Sequence, residues 1–80
     1  MDIDKLVRMA NSIGHYFAAY PDREEAMASI AHHIEMSWTP QMRRELLSHA
    51  SQPASAHGLQ ALVADALAKH LVLPASTSDA

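Results

Sequence analysis

The sequence predicts an all-α fold, a small bundle of about four helices followed by a disordered C-terminal tail. Three observations point to it. Apolar residues recur at every third or fourth position in four successive stretches, the period that lines one face of a helix. Capping residues and prolines stand at the ends of those stretches. No run alternates β-branched and polar residues in the way a half-buried strand requires.

The first stretch carries Ile3, Leu6, Val7, Ala10, Ile13 and Phe17, with Asp2 or Asp4 available to cap its start. Tyr20-Pro21-Asp22 forms a corner, because proline disfavours helical geometry in the residue before it. Asp22 stands three residues ahead of Glu25, an acidic variant of the capping box, and opens a second helix with Met27, Ile30, Ala31, Ile34 and Trp38 on its apolar face. Thr39-Pro40 then offers an N-cap followed by proline at the first helical position. The third helix, short and ending near Ala50, places Met42, Leu46 and Leu47 on one side and Arg43, Arg44 and Glu45 elsewhere. Ser51 to Gly58 is small, polar and turn-prone, so it reads as a loop. A fourth helix follows with Leu59, Leu62, Val63, Ala66, Leu67 and Leu71 on its face, and Pro74 stops it. The expected division is a helical domain over 1–72 and a disordered tail over 73–80, which lacks the apolar residues to fold.

Eighty residues make one domain at most. A chain of this length buries roughly 60% of its unfolded surface, and its core supplies ~3–5 kcal/mol of net stability. A binding partner would add to that. There is no cysteine for disulfides, iron–sulfur ligation or thiolate zinc sites, which fits a reducing cytoplasm. The acidic start Met1-Asp2-Ile3-Asp4 is unlike a secretory signal. Charged and polar residues interrupt every apolar run well short of the ~20 residues of a membrane span. Net charge is −3, and the six Lys and Arg residues are scattered, so no footprint for nucleic acid is expected.

No catalytic or cofactor-binding residue stands out. Six histidines raise a metal hypothesis, but His32 and His33 are adjacent, and neighbours on a helix diverge by about 100°. His32 and Glu35 do stand three apart, yet a site would need a third ligand from another helix. The expectation is solvent-facing or capping histidines and no metal. Ser12, Ser29, Ser37 and Ser48 have no base and orienting acid at helical spacing. Gly14 and Gly58 stand alone, so no phosphate-cradling loop exists; Gly14 in mid-helix is best explained by a close helix crossing. Tyr16, Tyr20 and Trp38 exceed what so small a core encloses, and some of them should reach the surface. Trp38, Pro40, Met42, Arg43 and Arg44 combine an aromatic anchor, a fixed turn and two guanidinium groups expected to face solvent. These residue types are enriched at interface hot spots. Phe17 and Tyr20 form the second candidate face.

Three stretches in order, MANSIGHYFAAYPD (Met9 to Asp22), AMASIAHHIEMSW (Ala26 to Trp38) and WTPQMRRELLSH (Trp38 to His49), resemble the delta subunit of soluble NAD-dependent formate dehydrogenases. GLQALVADALAKH (Gly58 to His70) is similar to the carboxy-terminal helix of that family. The matching positions include Met9, Ala10, Asn11, Ile13, Gly14, Phe17, Pro21, Asp22, Trp38, Pro40, Met42 and Arg43. Gln41 departs from the pattern, standing where a basic residue is common. The resemblance implies a cytoplasmic, cofactor-free accessory subunit or assembly factor without catalytic residues of its own. It implies as partner the large catalytic subunit carrying a molybdenum or tungsten pterin cofactor and iron–sulfur clusters, with flavin- and NAD-handling subunits beside it. Such a subunit would stabilise the active form of its partner and could form a homo-oligomer when isolated. The rival readings are a stand-alone homodimeric helical regulatory or DNA-binding protein and a small metal- or ligand-binding bundle.

Overall fold

The structure is a computed structural model and describes residues 2–71. It contains α1 (Ile3–Phe17), α2 (Arg23–Ser37), α3 (Pro40–Ala50), α4 (Ala54–His57) and α5 (Ala61–His70). Four of these are the helices expected, and no strand occurs among the described residues. The domain boundary at residue 72 and the tail over 73–80 lie outside the described residues.

Local chemistry fixes the helix starts. The Asp2 carboxylate accepts from Asp4 N–H, Asp22 accepts from Glu24 N–H, and Thr39 Oγ1 accepts from Met42 N–H, with Pro40 in the first turn. Each satisfies an amide that the helix itself leaves unpaired. Asp22 therefore caps as expected, but through Glu24 N–H.

α2 is the central element. It packs most extensively on α5 and also against α1 and α3. Met27, Ile30, Ala31, Ile34 and the following Trp38 are all buried, as are Leu6 and Ala10 of α1, Leu46 of α3, and Val63, Ala66 and Leu67 of α5. The four stripes read from the sequence thus converge on one core.

One correction concerns the segment 51–58. It contains the single turn α4, which ends at Gly58 with φ of 74°, a left-handed conformation that costs glycine nothing. Two histidines hold it. His57 is buried and its Nδ1 accepts from Leu59 N–H at 3.0 Å, while His49 Nε2 lies 2.9 Å from His57 O. Those geometries assign the proton to Nε2 in both rings. Asn11 of α1 completes the loop by donating from Nδ2 to Gly58 O at 3.0 Å and accepting at Oδ1 from Gln60 N–H at 2.9 Å. Gln60 has no side-chain cap of its own, so α5 starts against a side chain from α1.

Gly14 is buried where α1 crosses α5, and a Cβ built on it would overlap Val63 Cγ2. The close helix crossing explains the glycine. Gly14→Ala should gain about 1 kcal/mol of helix propensity yet lose more, about 1–3 kcal/mol, through overpacking. Combining it with Val63→Ala, which removes the obstructing methyl, should cost less than the sum of the two single changes in urea titrations followed by circular dichroism. Strict additivity would mean that the crossing is not what excludes a side chain.

Candidate functional site: the aromatic face and the turn between α2 and α3

Trp38 leaves α2 in extended geometry, with φ of −103° and ψ of 148°, and its N–H donates to Ile34 O at 2.9 Å. Its side chain turns inward and is only 5% exposed. Arg43, expected to face solvent, is 7% exposed. Its guanidinium donates from one terminal nitrogen to Trp38 O at 2.8 Å and to Glu35 O at 3.1 Å. These carbonyls belong to the end of α2, whose last turn carries no basic residue. Arg43 therefore neutralises the negative end of α2 and fills two acceptor sites there. The expectation that it faces solvent fails because Arg43 falls on the inner side of α3, three residues before the buried Leu46. That spacing was the available signal.

What the turn presents to solvent is Thr39, Pro40, Gln41 and Arg44, with Met42 half-buried. Arg44 lines a shallow polar groove with Gln41, Glu45, Ser48 and His49. Of the six Lys and Arg residues, Arg43 is buried, and Arg23 and Lys69 are paired with Asp65 at 2.9 Å and Glu24 at 2.8 Å. His70 also contacts Glu24. The Glu24 carboxyl is held below the usual carboxylate range chiefly by the hydrogen bond from Lys69, with His70 adding to it. These exposed pairs link α5 to the start of α2 but each adds little stability.

The second candidate face is more apolar. Tyr16, Phe17 and Tyr20 sit on the last turn of α1 and the corner after it. Their rings meet edge to face, with centroids 5.0 Å apart for Tyr16 and Phe17 and 5.3 Å apart for Phe17 and Tyr20. His33 of α2 approaches Phe17 at 6.3 Å. Tyr16 is 72% exposed, Tyr20 37% and Met36 of α2 74%. Phe17 and His33 are shared by two adjoining hollows, one running along α2 past Ala28, Ser29 and Met36, the other beside Ser12, Ile13 and Tyr16. The result is a continuous groove between α1 and α2. Sequence reasoning named Phe17 and Tyr20 as contact residues here and expected some of Tyr16, Tyr20 and Trp38 at the surface; Tyr16 and Met36 are its most exposed large apolar members.

The predicted contact residues therefore divide. Phe17 and Tyr20 lie together on the α1–α2 face, Pro40, Met42 and Arg44 lie on the turn, and Trp38 and Arg43 sit beneath that turn as its internal support. Among the described residues no three His, Asp or Glu side chains converge as a metal site would require. No helix there is long and apolar enough to cross a membrane.

The family model described as NADH-dependant formate dehydrogenase delta subunit FdsD matches residues 5–67, a span that includes the core-forming residues of every helix. No curated protein and no solved structure gives a match. With the family model covering most of its length, the chain belongs to the delta subunit family of NADH-dependent formate dehydrogenase.

Proposed function

We propose that the chain is a non-catalytic accessory subunit of a cytoplasmic formate dehydrogenase, that it docks on the large cofactor-bearing subunit, and that it stabilises the active form of that subunit. Family membership makes it part of a multisubunit enzyme. The observation that supports docking is the exposed Tyr16, Tyr20 and Met36 face on a domain this small. Aromatic residues and methionine are enriched at protein interfaces, and contiguous apolar exposure is uncommon on monomers.

The mechanism is mass action. A subunit that binds only the cofactor-receptive or active conformation of its partner raises the population of that conformation, by about 2.7 kcal/mol when present at a hundred times its Kd. The contacts on this reading are Phe17 and Tyr20 together with Tyr16 and Met36, and Pro40, Met42 and Arg44 form a second patch. Trp38 and Arg43 contribute by holding the turn rigid.

Deleting the gene and restoring it tests the reading. Activity recovered with the large subunit should fall about tenfold without this chain, the change expected if docking contributes ~1.4 kcal/mol. Re-expression should restore it, and the tagged full chain should retrieve the large subunit. Unchanged activity together with no retrieval would overturn the proposal.

A further inference from the structure

The α1–α2 groove has features that define what fits it. It is lined by Phe17 of α1 and, along one stripe of α2, by Glu25, the small residues Ala28 and Ser29, and Met36. Small residues between longer ones along a helix stripe allow another helix to approach closely. Glu25 stands at the groove's edge, exposed and without an ion pair among the described residues. Its neighbours differ, since Glu24 is engaged by Lys69 and His70, and Arg23 by Asp65. No lysine or arginine lines the groove. Every wall is a side chain on a helix, and no strand edge occurs among the described residues to pair with an extended peptide. Backbone amides laid in an apolar groove lose water without gaining a partner, whereas a helix brings its backbone already bonded.

We propose that this groove receives an amphipathic helix of the large formate dehydrogenase subunit, with aliphatic residues at helical spacing against Ala28 and Met36 and a lysine or arginine opposite Glu25. The assignment rests on the accessory-subunit reading and specifies its contact. A second copy of this chain fits less well. An isologous pairing of this face offers Glu25 no lysine or arginine from the groove lining.

The test uses the tagged full chain co-expressed with all subunits of the enzyme. Ala28→Arg sets a long side chain in the groove, Glu25→Lys reverses the edge charge, and Tyr16→Ala removes an exposed ring; all three positions are exposed, so circular dichroism of the variants should match the parent. Retention of the large subunit should fall about thirtyfold for Tyr16→Ala, the loss typical of truncating an interface aromatic, and comparably for Ala28→Arg. A photo-crosslinker at Met36 should mark a helical segment of the large subunit that contains a lysine or arginine. Retention by all three variants, with loss on Arg44→Glu, would overturn the groove assignment while leaving the accessory reading intact. Crosslinks to a strand or loop, or to a second copy of this chain, would overturn it as well. Failure of the unaltered chain to retain the large subunit would remove both.

Discussion

Arg43→Met lowers the stability of the isolated chain by about 3 kcal/mol, since two charge-assisted hydrogen bonds to Trp38 O and Glu35 O are lost at ~1.5 kcal/mol each while the aliphatic bulk is kept. Arg43→Glu is worse. It sets an unpaired carboxylate in a buried site against two carbonyl oxygens, a change costing several kcal/mol, comparable with the ~3–5 kcal/mol that a domain of this size has in total. Thermal melts and urea titrations followed by circular dichroism should show the methionine variant folded with a lower midpoint and the glutamate variant largely unfolded at room temperature. Arg44→Glu, at an exposed position, should leave the midpoint within ~0.5 kcal/mol of the parent. Equal stability of the two arginine-to-glutamate variants would show that the guanidinium of Arg43 does not cap α2.

Trp38→Ala has an effect of the same order. The indole is buried in the shared core, so truncation should cost about 3–5 kcal/mol through lost burial and a residual cavity. Trp38→Phe retains most of the apolar area and should stay folded. If Trp38→Ala melts like the parent, the ring is not packed as described. Neither Trp38 nor Arg43 is suited to probing partner contact, because a folding loss would be read as a binding loss. Arg44, Tyr16 and Ala28 are suited to it.

Helix positions were legible because the signals were local. Asp2, Asp22 and Thr39 each cap the helix that follows within three residues, and the 3.6-residue period selected the stripes that became the core. α4 was not legible. Its segment carries no apolar stripe, and beside the local bond of the buried His57 ring it is secured by groups outside the segment, His49 on α3 and Asn11 on α1. The role of Arg43 was hidden by its charge. A cation on an inner stripe looks misplaced until the carbonyl end of a preceding helix is known to lie above it. For the candidate site, Phe17 and Tyr20 could be named from residue type and spacing. The exposure of Tyr16 and Met36 depends on how α1 and α2 are rotated against each other, which periodicity alone does not fix.

The Asn11 clamp also bears on the order in which the molecule is built. Its two hydrogen bonds join residues 47 and 49 positions apart, and α5 supplies the wall against which α2 packs most extensively. Closing so long a segment carries an entropic cost that is recovered only when Val63, Ala66 and Leu67 reach the core. A chain that reaches only as far as α3 lacks that wall, and Gly14 of α1 lacks the Val63 side chain it crosses. Truncation before α5 should therefore remove the surface on which α2 packs most extensively, and circular dichroism of a chain ending at Gly58 should show lower helicity and an earlier melt than the full chain.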